Sequence, residues 1–192
     1  DDYKNLLKEI VCDVVVVSVA NKYAKEIIIE ALKNGKHIIA EKPLGRNVEE
    51  AEEIIAQWNN GIMEELNNRI SNTPVLKTGF NHRFHPAVWQ AKQMADEGKI
   101  GKIFNIRARY GHGGRQGMEK EWRASKDLCG GGELLDQGVH VIDLIRWFGG
   151  EVKEVYGAVE TKFWNIEVED NAFAILRTSN NVTASFHVSW TN

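Results

Sequence analysis

Residues 130–144, GGGELLDQGVHVIDL, set Asp136, His140 and Asp143 into an amphipathic run directly behind three glycines. On a helix beginning near Glu133 these positions follow an i, i+4, i+7 spacing and share one face. Leu135, Val139 and Ile142 form a separate apolar stripe that would pack the helix down. An imidazole is the side chain best suited to take a proton near neutral pH, and Asp136 can orient it or a bound substrate. Gly130, Gly131 and Gly132 permit close backbone approach at the helix start. A plain helix cap with Asp and His facing solvent fits the same spacing.

A second stretch, AEKPLG at 40–45, puts Lys42 before Pro43. The proline fixes its own φ and biases Lys42 toward an extended conformation, so the ammonium projects from a strand end. A lysine there can bind a substrate hydroxyl and favour its alkoxide, as hydride removal requires. A surface lysine beside a turn proline remains the plainer alternative. Two further strand ends are polar: Ala20-Asn21, and Asn81-His82-Arg83. Ligands on open parallel sheets bind beyond the carboxyl ends of the strands, so three such ends in register would line one edge. Each taken singly reads equally as a solvated loop.

The elements needed to position these residues follow from periodicity. DVVVVSV (13–19) is a continuous β-branched run, expected of a strand buried on both faces. A helix follows with Ala24, Ile27, Ile28, Ala31 and Leu32 on one stripe and Gly35 as its stop. KHIIA is a second strand, Asn47 caps a helix from Val48 to about Trp58 with Glu50 at the capping-box position, and VLKTGF is a third strand. Residues 58–74 read as loop or marginal helix. Pro86 opens a helix ending near Gly98, after which the period changes to two. IFNIRARY, VKEVYGAVETKFW, NAFAILRT and VTASFHVSW read as strands of an open, mostly antiparallel sheet with one face covered by helices. The fold class is therefore α/β plus α+β, a partial Rossmann parallel sheet (1–82) followed by an α+β substrate-binding and oligomerisation domain (83–192).

Bulk properties narrow the function. A 192-residue chain with a net charge of -3 and 43% apolar residues supports a real core and gives no reason to expect nucleic acid. No apolar run suits a membrane span. Two cysteines fit a reducing, cytoplasmic setting rather than a disulfide framework. His82, His85 and His112 lack a suitably spaced third ligand, so no metal is expected. GHGGRQG (111–117) reads as a basic loop that reaches a substrate's phosphate or carboxylate or is simply mobile.

Together these stretches resemble the glucose-fructose oxidoreductase, inositol dehydrogenase and rhizopine-catabolism (Gfo/Idh/MocA) family of nicotinamide-dependent sugar dehydrogenases. AEKPLG is similar to its E-K-P motif, GGGELLDQGVHVIDL to its G-G-G-x-x-x-D-x-G-x-H-x-x-D signature, and FNHRFHPAV to its N-x-R-F segment. EWRASKDLCGGG is similar to its Trp-Arg pair ahead of the glycines. The resemblance implies Lys42 as catalytic lysine, His140 as general acid/base and Asp136 as its partner. It implies Asn21, Glu41, Pro43, Asn81, Arg83 and Trp122 near NAD or NADP, and Lys42, Arg123, Asp136 and His140 on a carbohydrate or nucleotide-sugar substrate. It further implies a homo-oligomer through the second domain's sheet. Two departures stand out. At Val19-Ala20-Asn21 only the Asn carries over, and no G-x-G-x-x-G follows any strand. The chain therefore reads as an internal fragment lacking the first nucleotide-binding half and the end of the second sheet, expected on its own to bind cofactor poorly. Two other functions stay open. One is a hydrolase that transiently oxidises a sugar to eliminate a glycosidic bond; the other is a non-catalytic remnant or oligomerisation module.

Overall fold

Val14 to Val17 form a strand because consecutive β-branched side chains suit extended backbone. In the computed structural model, which describes residues 2–9, 11–68 and 74–191, this strand is β1 (Val14–Val17). It pairs in parallel with β2 (His37–Ala40), which pairs in parallel with β3 (Leu76–Thr78), giving the order β1-β2-β3. The intervening helices are α1 (Tyr3–Glu9), α2 (Asn21–Lys33) and α3 (Val48–Asn68). Leu7 of α1, Ala24, Ile28, Ala31 and Leu32 of α2 and Ile54 of α3 pack on the face carrying Val17, Ile38 and Ala40. Ile28, Ile38 and Ile54 are fully buried, each worth about 1.5–3 kcal/mol of transfer free energy. The opposite face is open, with Val14, Val16 and Ile39 exposed. The continuous valine run is thus buried on one face only, because all three helices lie on the same side.

Asn47 caps α3 as expected, its Oδ1 accepting the Glu50 amide at 2.8 Å. The reciprocal half of the box is displaced by one residue: the buried Glu50 carboxylate accepts from the Arg46 amide at 2.9 Å and its guanidinium at 2.5 and 3.0 Å. Burial alone would raise the Glu50 carboxyl, but these Arg46 donors outweigh it and hold the group below its ordinary value. The helix does not stop near Trp58 but continues to Asn68. The Trp58 indole donates to the Pro74 carbonyl at 2.6 Å, tying the helix to the chain entering β3. Residues 69–73 of the expected loop lie outside the described residues.

The chain divides into two compact units, Asp1–Gly79 with Asp127–Gly130, and Phe80–Lys126 with Gly131–Asn192. The second contains α4 (Pro86–Asp96), opened by Pro86 at its first turn, and a four-stranded sheet. Its strands β4 (Asn105–Gly111), β5 (Val152–Glu160), β6 (Asn171–Thr178) and β7 (Thr183–Ser189) are ordered β4-β7-β6-β5. The β7-β6 and β6-β5 pairs are antiparallel, but β4 and β7 are parallel. The short α5 (Lys126–Cys129) and α6 (Val139–Gly149) complete the helices. Period-two alternation decides which sheet face is covered. Ala184, Phe186, Val188, Ala172 and Leu176 pack against Val141 and Ile145 of α6, while Thr183, Phe173, Ile175 and Arg177 stay open to solvent.

Candidate active site

The helix bearing His140 is not regular. Leu134–Gly138 is a π-helical turn, and α6 follows directly. Its start is clamped on Glu169: the Glu133 amide donates to the Glu169 carbonyl at 2.9 Å and the Leu134 amide to the Glu169 carboxylate at 3.1 Å. Gly132 is required there, since a Cβ would sit 1.8 Å from the Glu169 carbonyl oxygen. A π turn inserts one residue into the helical period. The packed stripe is Leu134, Val141, Ile142 and Ile145 rather than the expected Leu135, Val139 and Ile142. His140 and Asp143, expected on a presented face, are buried.

His140 is 3% exposed and stacks face to face on His82, with ring centroids 4.0 Å apart and planes 18° from parallel. Phe80 meets its ring edge-on at 6.1 Å. His82 in turn lies 5.5 Å from the Tyr110 ring of β4. One helical turn after His140, Asp143 receives two hydrogen bonds from Arg83, Nε at 2.7 Å and Nη2 at 2.6 Å, and the guanidinium lies 5.3 Å over Trp147. Asn81, His82 and Arg83, expected as a third sheet end, instead occupy a 3-10 turn (Asn81–Phe84) in the second unit. Asn81 is exposed, whereas His82 and Arg83 are half-buried and engaged with α6.

Before His140, Asp136 pairs with Arg123 at 3.5 Å, and the Arg123 guanidinium lies 4.4 Å over Trp122. Asp136, His140, Arg123 and Trp122 therefore all belong to the second unit. The glycine run is divided: Gly130 (φ +87°) lies where a Cβ would meet the Arg46 backbone at 2.5 Å in the first unit. The loop at 111–117 is anchored. The His112 amide donates to Ser189, Arg115 forms a bidentate pair with Glu121 at 2.6 Å, and a Cβ on Gly114 would strike Trp164 at 2.5 Å.

In the first unit, Glu41 and Lys42 follow the last residue of β2, and the Lys42 amide donates to the Glu41 carboxylate at 3.3 Å. Lys42 is half-buried and Pro43 buried, with a cis Lys42-Pro43 peptide. The Asn21 amide donates to the Cys129 carbonyl at 2.8 Å, Lys22 pairs with Asp127 and Arg46 donates to the Asp127 carbonyl at 2.6 Å. These contacts explain why Asp127–Gly130 belongs with the parallel sheet. His37 accepts the Val75 amide at 3.0 Å, a structural role. Sequence reasoning missed His82 as the partner of His140, and it missed the Arg83–Asp143 pair, whose members lie 60 residues apart with no local signal.

The model of the GFO/IDH/MocA C-terminal domain matches residues 88–192, more than half of the chain. The chain belongs to the Gfo/Idh/MocA family. A second family model, described as an oxidoreductase family with an NAD-binding Rossmann fold, matches residues 1–60. Among its relatives in this family, a levoglucosan dehydrogenase of Pseudarthrobacter phenanthrenivorans is 33% identical over 83% of this chain and 39% of its own length. A 1,5-anhydro-D-fructose reductase of Ensifer adhaerens is 30% identical over 93% of this chain and 51% of its own. A levoglucosan dehydrogenase structure in complex with NADH and levoglucosan superposes with a TM-score of 0.88 at 28% identity, covering 100% of this chain and 51% of that one. The chain thus spans about half the length of the relatives it matches. The parallel sheet followed by an open, mostly antiparallel sheet packed on helices, as read from the sequence, is the fold of this family. No helix among the described residues is long and apolar enough to cross a membrane.

Proposed function

We propose that the gene product carrying this chain is an NAD(P)-dependent oxidoreductase acting on a secondary hydroxyl of a sugar, polyol or nucleotide sugar. One observation carries the reading: a buried histidine stacked on a second imidazole, on a π-bulged helix preceded by a carboxylate, within the segment that matches the family's C-terminal domain. π turns concentrate where a regular helix would aim a side chain wrongly. Relatives named as a levoglucosan dehydrogenase and a 1,5-anhydro-D-fructose reductase support a carbohydrate as substrate.

In the oxidative direction a ring nitrogen of His140 takes the hydroxyl proton, and Asp136 with Arg123 holds the neighbouring part of the substrate. The ammonium of Lys42 stabilises the negative oxygen that results. A bound nicotinamide would supply the acceptor for the hydride on the hydroxyl-bearing carbon, so proton movement and charge stabilisation are the work left to the protein. The first unit suits a dinucleotide. Three parallel strands end together at Val17, Ala40 and Thr78, and Gly79 keeps the backbone bare beside the Ala40 carbonyl and Glu41 carboxylate, which an added Cβ would touch at 3.4 Å. Asn21, Glu41 and Pro43 are the residues assigned to hold the cofactor there, and the family's motifs add Asn81 and Trp122 as cofactor contacts. Arg83 acts indirectly, through Asp143.

The open face of the second sheet, with Tyr156, Phe173 and Ile175 exposed, is assigned to contact with another copy. The test of activity offers NAD and NADP with a panel of polyols, aldoses and nucleotide sugars to the gene product and follows the absorbance of reduced nicotinamide. Turnover with at least one of them is expected, together with a loss of about 10²- to 10⁴-fold in His140→Asn. Tight cofactor binding with no turnover of any class refutes the proposal.

A further inference from the structure

Residues 161–170 join β5 to β6 without regular structure, yet they carry the Glu169 clamp on which the His140 helix starts. A connection of this length is ordinarily mobile. Here one side chain gathers it. Asp170 is fully buried, and its carboxylate accepts three successive amides, from Lys162 at 2.9 Å, Phe163 at 2.7 Å and Trp164 at 2.9 Å. The Asn171 side-chain amide adds a fourth bond at 2.9 Å. Burial would raise this carboxyl, but the Trp164, Lys162 and Phe163 amides outweigh it and hold the group below its ordinary value. Asp170 is thus an internal anion seated in a nest of backbone N–H groups.

The backbone beside this carboxylate carries the order to the helix. The peptide unit between Glu169 and Asp170 is planar, so fixing one end of it fixes the other. Its N–H donates to the Glu160 carbonyl at 3.1 Å, at the end of β5, and its carbonyl accepts the Glu133 amide at 2.9 Å. The next carbonyl, that of Asp170, accepts the Trp190 amide at 2.8 Å. Through the Glu169 carboxylate the same connection also holds the Leu134 amide at 3.1 Å. Two of the N–H groups that a helix start leaves without an intrahelical acceptor are therefore satisfied from this one segment. His140 lies about two turns further on, so a tilt of the start is carried along the packed helix to its ring. All of these residues lie within the second unit.

We propose that Asp170 is a positioning residue: by ordering the 161–170 connection it fixes the Glu169 clamp, and through that clamp the direction of the His140 ring. The proposal rests on the oxidoreductase reading only in giving His140 its role as the base. Asp170→Asn sets an NH2 group against amides that now point at an oxygen, with little change in size. In the gene product, backbone hydrogen exchange over 131–138 should become about tenfold faster and the NMR signals of the His140 ring should shift. In the same variant kcat should fall about tenfold with KM little changed. Thr161→Val removes the hydroxyl's 2.8 Å bond to the Val168 carbonyl, in the same connection but not directed at the helix, and should leave all three readings unaltered. Where Asp170→Asn does not fold, Glu169→Ala decides. It breaks only the link to Leu134, and should speed exchange there and lower kcat, while Glu169→Gln, which still accepts that amide, should restore most of both. Unaltered exchange over 131–138 in the deciding variant, an equal loss in Thr161→Val, or no rescue by Glu169→Gln overturns the proposal. A parent protein without turnover counts against the oxidoreductase reading, and the exchange and ring signals then decide the positioning by themselves.

Discussion

The proposed reaction needs one ring nitrogen of His140 presented in one direction, and the face of His82, 4.0 Å away, restricts the plane of that ring. Replacing His82 with Phe keeps a flat ring in the stack, whereas Ala removes it and opens a void beside a buried imidazole. The expected result is a drop in kcat of about tenfold or more for His82→Ala, with KM little changed and most activity restored in His82→Phe. Equal damage from both variants would mean that the second imidazole, not its surface, matters. Arg83 is the complementary case. Its removal in Arg83→Met strands the 6%-exposed Asp143 carboxylate, which should cost about 2 kcal/mol in denaturant unfolding, moderated because the guanidinium keeps some water contact. Asp143→Asn, which removes the buried charge and leaves the half-buried Arg83 guanidinium to water, should cost less. Neither pairing was legible in the sequence. His140 and Asp143 stood out by residue type and spacing, but their partners His82 and Arg83 arrive from a 3-10 turn whose position depends on the tertiary fold.

At the scale of the element, periodicity served well wherever the helix or strand was regular. The buried stripe of α2, the Asn47 cap and the two-residue alternation of β7 follow directly from residue spacing, whereas which face of β7 is covered is decided only by the packing of α6. It failed at Leu134–Gly138, where a π turn follows a start clamped on Glu169 and the buried stripe differs from the expected one. Nothing local announces this, because the cause is the Glu169 carbonyl, 37 residues beyond Gly132. Gly132→Ala therefore cannot be absorbed in place. It should destabilise the protein by about 3 kcal/mol, read as a lowered unfolding midpoint, and should lower activity in whatever remains folded. Gly61→Ala in α3 is the matched control. Nothing lies within 4 Å of its new methyl group, so it should stabilise by roughly 0.5–1 kcal/mol through helix propensity. A Gly132→Ala protein as stable as the parent would mean that the glycine clamp does not set the π turn.

At the scale of the molecule, the open face of the second sheet joins surface to interior through one polar chain. His187 stacks on Phe173 at 4.1 Å, and its Nε2 lies 3.1 Å from the Asn171 side-chain oxygen. The Asn171 amide nitrogen already donates to Asp170, so its oxygen accepts and His187 donates. Burial, followed by the nearby Arg109 charge, lowers the His187 pKa from 6.5. A histidine with a depressed folded value binds fewer protons folded than unfolded, so its contribution is full above about pH 6.5 and is lost as pH falls through the window just below it. If this face meets another copy, burial against the partner deepens the depression, and two protonated rings beside Arg107 and Arg109 from each copy would then repel. The particle should therefore be larger than one chain near neutral pH and dissociate reversibly as the pH approaches about 5.5. His187→Gln, which keeps the hydrogen bond to Asn171 but cannot titrate, should stay associated across that range, while Ile175→Asp should be monomeric throughout. Light scattering coupled to size-exclusion chromatography distinguishes these outcomes. A constant monomer mass for the parent at every pH would remove the assignment of this face to self-association, and would leave only the acid-dependent loss of unfolding stability to be read from His187.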